Sequence, residues 1–258
     1  MERDREIVMG TVNRNTKIAE GVYEIVIETE VCKTFIPGQF VNIYLSDKSM
    51  LLPRPISISD AESGFITLIF KIAGKGTEYL SAYPENHLIK LSGPLGNGFS
   101  FENDYKNKQV ALVAGGIGIP PMVGLAKRLK EQNAVLNIFL GFQSGVFLLE
   151  KFREFTQNVF VATNDGNLGF HGNVVDLLIQ GKVYDEYFAC GPKAMLKSLS
   201  EYTSKIERNV HVSIEKRMGC GYGACLGCTC KIREGGDIVR KSVCKQGPVF
   251  LGKEVVWD

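Results

Sequence analysis

The chain lacks any run approaching the roughly 18 consecutive apolar residues that a membrane-spanning helix needs. Net charge is also nearly absent: 30 basic against 28 acidic side chains leave +2. That balance gives no electrostatic footprint for nucleic acid or for an anionic lipid surface. The N-terminal stretch MERDREIVMG is charged and has none of the apolar core of a secretory leader. Internal repeats and low-complexity segments are missing as well. These absences exclude a membrane protein, a nucleic-acid binder and a repeat array, and they make the cytoplasm the expected location. What remains is 258 residues of ordinary globular composition, enough for two or three small domains.

Cysteine is the residue that stands out. Seven are present: Cys32, Cys190, Cys220, Cys225, Cys228, Cys230 and Cys244. Five of them fall within the last 39 residues. In a reducing compartment such crowding points to metal or cluster ligation rather than to disulfides. Cys220, Cys225 and Cys228 are spaced C-x4-C-x2-C, with Cys244 beyond, which is the plant-type spacing for a 2Fe–2S cluster. Soft thiolates suit such a cluster. The intervening glycines lack a Cβ, so backbone N–H groups can approach the sulfides. Structural zinc more often uses two C-x2-C pairs, and here the second pair is missing because Cys244 stands alone. Cys230 is left over. It shares a strand face with Cys228 and is expected to be a small buried hydrophobe rather than a ligand.

The rest of the chain divides by periodicity. Up to about residue 100, short alternating segments such as Tyr23–Glu28, Phe40–Leu45, Ile56–Ser59 and Phe65–Ile72 predict a small antiparallel barrel. After Asn107 the pattern becomes strand–helix alternation, with apolar runs at Val110–Ala114, Val135–Leu140, Val159–Thr163 and Tyr187–Ala189. That predicts a parallel sheet with crossover helices. The fold class expected is therefore α+β multidomain: an antiparallel Greek-key β-barrel over 1–102, an α/β parallel-sheet nucleotide domain over 103–210, and a small cysteine-rich domain over 211–258.

Three further stretches carry chemistry. In Leu52-Pro53-Arg54-Pro55-Ile56-Ser57, an arginine held between prolines is pre-oriented to pair with a phosphate, and Ser57 can donate from a strand to a flavin ring. Gly76-Thr77 precedes an expected helix over Glu78–Tyr83, whose first N–H groups can face a pyrophosphate. Gly115, Gly116, Gly118 and Pro120 lie in a strand-to-helix turn, the context of a nucleotide-binding loop. Cys190-Gly191-Pro192 ends the last apolar strand, at the sheet edge where ligands bind. Each has a plainer reading, as a surface arginine, a helix cap, a tight turn or an inert thiol. After the second strand of the sheet, Gly141–Val146 contains no Lys or Arg, which favours NADH over NADPH.

In their order along the chain, R-P-I-S, Gly76-Thr77, G-G-I-G-I-P-P, C-G-P, the cysteine loop and the ending Gly247-Pro248-Val249-Phe250 resemble the ferredoxin–NADP reductase superfamily. More closely, they are similar to the electron-transfer subunits of class 1B dihydroorotate dehydrogenases. The resemblance covers nearly the whole chain, including Gly93-Pro94-Leu95-Gly96-Asn97-Gly98-Phe99. It implies FAD held by Arg54, Pro55, Ile56 and Ser57, by Lys71, Ile72 and Ala73, and by Gly76 and Thr77. It also implies an NAD domain; the glycine turn with Gly191 is the expected NAD(H) site there, and Cys190 is expected to be catalytic through contact with the nicotinamide near the flavin. It implies a 2Fe–2S cluster on Cys220, Cys225, Cys228 and Cys244. The partner would be an FMN-containing catalytic subunit that oxidises dihydroorotate, in a heterotetramer with two copies of each chain. The alternatives are the small subunit of an NADH-dependent ferredoxin–NADP oxidoreductase or of a sulfide dehydrogenase and, in another class, a zinc-binding adaptor.

Overall fold

The computed structural model describes residues 6–31, 35–101, 103–143 and 145–257. The first five residues of the charged N-terminus, Cys32 and Ser144 lie outside the described residues.

Six strands close the N-terminal barrel: β1 (Val8–Ala19), β2 (Val22–Glu28), β3 (Phe40–Tyr44), β4 (Arg54–Glu62), β5 (Phe65–Lys71) and β6 (Leu88–Leu95). Their order is β1-β2-β5-β4-β3-β6, and every pairing is antiparallel. The alternation read in β2 is the physical cause. Ile25 and Ile27 turn inward and are fully buried with Val41, Ile43, Ile58 and Leu68, while Glu28 stays exposed. Burying each such side chain contributes about 1.5–3 kcal/mol.

Helix α1 (Lys75–Ser81) crosses between β5 and β6. It begins three residues before the expected start at Glu78, so Gly76 and Thr77 lie in its first turn rather than ahead of it. The reason is local. Thr77 Oγ1 accepts from the Ala73 N–H at 2.9 Å and donates to the Gly74 carbonyl at 3.0 Å, closing that turn early.

The second unit is built on β7 (Gln109–Gly115), α2 (Pro121–Glu131), β8 (Val135–Phe142), α3 (Leu149–Arg153), β9 (Val159–Thr163), β10 (Phe170–His171), α4 (Val174–Ile179), β11 (Glu186–Cys190), α5 (Lys193–Lys205) and β12 (Val210–Ser213). The cysteine-rich stretch follows, with the hairpin β13 (Thr229–Glu234) and β14 (Asp237–Ser242), and then β15 (Val249–Leu251). The sheet order is β10-β9-β8-β7-β11-β12-β15, parallel except for β15. Both faces are covered, as a parallel sheet requires. Val110, Leu112 and Ala114 of β7 pack toward α2 and α3, whereas Ala111 and Val113 pack toward α4 and α5.

The sheet runs past the boundary expected at 210/211, because β12 and β15 both belong to it. The cysteine-rich stretch is therefore an excursion between two neighbouring strands. Val210, Val212 and Phe250 are buried in the sheet's core, but these apolar segments are too short to read as strands by periodicity.

Barrel and sheet pack directly on each other. Gly124 brings α2 so near β4 that a Cβ there would stand 2.9 Å from the Ser59 carbonyl oxygen. The Ser59 hydroxyl donates to the Pro120 carbonyl at 2.9 Å. The two Gly-Pro motifs also meet, with Asn97 N–H donating to the Gly247 carbonyl at 2.7 Å. Among the described residues, no helix is long and apolar enough to cross a membrane.

Candidate functional site

The sheet order reverses between β7 and β11, which makes their C-terminal ends the topological switch point where open α/β sheets bind ligands. Both predicted turns lie there. Cys190 pairs with Ala114 on one side and Ser213 on the other. A Cβ on Gly118 would stand 2.5 Å from the Cys190 carbonyl carbon, so the two turns pack backbone on backbone. Gly116 has φ +53 and open space before it, as an approaching dinucleotide requires.

A cavity of about 840 Å³ opens at this edge. It is lined by Gly115, Gly116 and Pro192, by Asn164, Asn173 and Met195, and on the barrel side by Gly21 and Lys71. Lys71 is the one cation among the described lining residues. Gly118, Pro120 and Cys190 are not among the described lining residues, and Cys190 is partly exposed beside them. Pro120 is buried, with its carbonyl engaged by Ser59. Burial pushes the Cys190 thiol up to about 12, with the Ser213 hydroxyl working downward and Glu215 upward. It is thus a protonated thiol at neutral pH.

The flavin-type residues gather on the barrel. Arg54, Pro55, Ile56 and Ser57 are all partly exposed, whereas the next two residues of β4, Ile58 and Ser59, are buried. The Arg54 guanidinium lies over α1's first turn. A Cβ on Gly76 would be 2.0 Å from its Nε. Lys71 and Ala73 are exposed and Ile72 and Thr77 partly so, along the same edge. A cationic head against first-turn N–H groups, with open strand surface beside it, fits a phosphate-bearing flavin nucleotide.

Cys220, Cys225 and Cys228 lie on the loop between β12 and β13, and Cys244, just after β14, is brought against them, its N–H reaching Cys228 Sγ at 3.5 Å. Gly221 (φ +77) and Gly223 (φ +80) turn the backbone N–H groups inward. Tyr222 N–H reaches Cys220 Sγ at 3.4 Å, and Gly223 N–H reaches Cys244 Sγ at 3.1 Å. The Cys220 thiol interacts with Cys225, and the Cys244 thiol with Cys228. Burial works upward on Cys220, but N–H donors from Tyr222, Cys225 and Ala224 bring it down to about 6. Burial, aided by the neighbouring Cys228, pushes Cys244 up to about 12. Four crowded sulfurs of this kind need cations among them to become thiolates together.

Two pairs of thiols fit a two-iron cluster better than one tetrahedral zinc. Cys230 is buried and turns away, its thiol toward the Lys241 carbonyl at 3.7 Å.

Residues 215–256 match the iron–sulfur cluster binding domain of dihydroorotate dehydrogenase B. The dihydroorotate dehydrogenase B (NAD(+)) electron transfer subunit of Caldanaerobacter subterraneus subsp. tengcongensis is 41% identical over 245 residues, covering 94% of this chain and 96% of that protein. The chain belongs to the dihydroorotate dehydrogenase B electron transfer subunit family. The Shouchella clausii member is 39% identical, with 95% and 96% covered.

Among solved structures, an NADH-dependent reduced ferredoxin–NADP oxidoreductase, studied for flavin-based electron bifurcation, superposes with a TM-score of 0.85. It is 31% identical over 97% of this chain and 91% of that one. Phthalate dioxygenase reductase, 16% identical with a TM-score of 0.63 over 93% and 77%, shares the fold.

Sequence reasoning missed the polar residues that join the barrel to this electron transfer subunit's cysteine loop. Asn42, inside the otherwise apolar run Phe40-Val41-Asn42-Ile43, was the available signal. It is fully buried.

Proposed function

We propose that the chain is the electron-transfer subunit of an NAD-dependent dihydroorotate dehydrogenase, serving pyrimidine synthesis in the cytoplasm. Region 1–102 binds FAD, 103–210 binds NAD(H), and 211–258 carries a 2Fe–2S cluster. The partner is an FMN-containing subunit that oxidises dihydroorotate to orotate, two of each chain forming a heterotetramer. The observation that carries this reading is convergence. The flavin-type strand β4 pairs with β3, whose Asn42 holds the cysteine loop, and the switch-point cavity opens against the same barrel at Gly21 and Lys71, in a chain similar over its length to such subunits.

FAD supplies the chemistry that couples hydride exchange with a nicotinamide to single-electron exchange with an iron–sulfur centre. The chain's own residues hold and exclude. Arg54, Gly76 and Thr77 grip the flavin's phosphates, Pro55 and Ile56 support its ring, and Ser57 donates to it. Lys71, Ile72 and Ala73 border the same nucleotide. Gly115 and Gly116 let the dinucleotide backbone lie close, Gly118 lets their turn pack on Cys190 and Gly191 at the rim of the same NAD(H) site, and Pro120 fixes that turn to the barrel. Cys190 packs against the nicotinamide as a neutral thiol and moves no proton. Cys220, Cys225, Cys228 and Cys244 ligate the irons. At the tip of that loop Leu226 is 65% exposed and Cys225 is exposed, an apolar face suited to docking the catalytic subunit.

The likeness to the ferredoxin–NADP oxidoreductase favours a second reading, the small subunit of such an enzyme. Co-expression with the FMN subunit separates the two. Co-purification and dihydroorotate-dependent NAD⁺ reduction are expected. A complex that ignores dihydroorotate but exchanges electrons with ferredoxin and NADPH would replace the first reading by the second.

A further inference from the structure

Strand β3 presents two faces. Val41 and Ile43 point into the barrel core, whereas Asn42 and Tyr44 lie on the opposite face, toward the cysteine loop. Asn42 stands in register with Pro55 of the flavin-type strand on one side and with Ser92 on the other. Its Nδ2 donates to the Cys220 carbonyl at 3.0 Å across 178 residues of sequence. Gly221 lies on the Asn42 amide so closely that a Cβ would be 2.5 Å from Nδ2. Tyr222, between two of the cysteines, hydrogen-bonds through its hydroxyl to both the Ser92 and Tyr44 hydroxyls, at 2.6 Å from Ser92. Tyr44 and Ser92 are themselves 3.3 Å apart.

Asn42 and Ser92 are wholly buried, and Asn42 Oδ1 has no partner. Buried polar groups cost stability unless paired. A fold that needed only packing at these two positions would be better served by apolar residues. The hydroxyls of Tyr44, Ser92 and Tyr222 and the Nδ2 of Asn42 are instead all engaged, and such polar networks fix one geometry.

We propose that Asn42, Tyr44, Ser92 and Tyr222 are positioning residues. They lock the cysteine loop to β3 and β6, with β3 paired directly to the flavin-type strand, and so set the separation across which single electrons pass. The inference rests on the reading under Proposed function. The hub moves neither electron nor proton. It matters because electron tunnelling falls off exponentially with distance.

The test uses the FAD- and cluster-loaded complex with Tyr222→Phe, mixed rapidly with NADH. Bleaching of FAD reports hydride transfer, and the later cluster signal reports electron equilibration. Cofactor content and the bleaching rate should match wild type. Equilibration should slow, because a loosened loop lengthens the path the electron crosses, and the cluster's electron paramagnetic resonance lines should broaden. Wild-type equilibration with unchanged lines would overturn the proposal.

If Tyr222→Phe fails to hold its cluster, Ser92→Ala and Tyr44→Phe decide the matter. Slower equilibration in either supports the hub, and wild-type rates in both overturn it. Failure of the FAD and NAD(H) assignment on which the inference depends would look different, since NADH would then not bleach the wild-type protein at all.

Discussion

Gly76 and Arg54 share one space: a Cβ on Gly76 would stand 2.0 Å from Arg54 Nε and 2.4 Å from a terminal nitrogen. The guanidinium can lie across the first turn of α1 only because residue 76 has no side chain. It is the far end of a flexible chain, so a substitution would push it aside rather than unfold the barrel.

Gly76→Ala should therefore leave thermal stability nearly unchanged and weaken FAD. Losing one charge-assisted hydrogen bond, about 1.5–3 kcal/mol, corresponds to about tenfold or more in affinity. Arg54→Ala should do the same more strongly. Flavin release on dilution, followed by fluorescence, measures both. Retention at the wild-type level in both variants would remove Arg54 from the flavin site.

Gly118→Ala makes the contrasting case, because its neighbours are the Cys190 carbonyl group and the Gly191 Cα, which cannot swing away. Overpacking of this kind costs about 1–3 kcal/mol. A lower melting temperature together with weakened NADH binding is expected. A melting temperature equal to wild type would show that the two turns do not touch as described.

How much of this was legible in the sequence follows from the reach of each signal. The barrel and parallel sheet could be read because Tyr23–Glu28 alternates and Val110–Ala114 is continuous, both local patterns. The cysteine spacing is local too. The early start of α1 was hidden by Gly74 and Gly76, which read as loop. The return of β15 to the sheet was hidden because three residues, Val249–Leu251, carry no period. The Asn42–Cys220 bond joins segments 178 residues apart, and only the folded chain brings them together.

Cys190 should act without ionising. Cys190→Ala is expected to slow NADH–flavin hydride transfer and leave FAD bound, and the wild-type rate should show no inflection from this thiol between pH 6 and 9. Its folded value of about 12 lies above the ordinary 9.0. Between those values the folded state keeps a proton that the unfolded state has lost. Stability should thus fall as pH rises through that window, and less so in Cys190→Ala. Denaturant melts of the two proteins at pH 8 and pH 10 check the sign. An equal loss in both would contradict the buried, protonated thiol.

Replacing Cys220, Cys225, Cys228 or Cys244 by serine should abolish or distort the cluster's visible absorption. Cys230→Ala should preserve it while lowering stability by about 1 kcal/mol, as for a typical buried substitution. Iron and sulfide analysis of the five variants makes the comparison. Loss of iron in Cys230→Ala, with retention in one of the other four, would reassign the ligand set.

The most direct test is the visible spectrum of the anaerobically purified chain before and after NADH. Flavin bands with a broad iron–sulfur shoulder, both bleached by NADH, are the expected result. A colourless protein containing zinc would contradict the electron-transfer assignment, and would return Arg54 and the Gly115 turn to ordinary strand and loop.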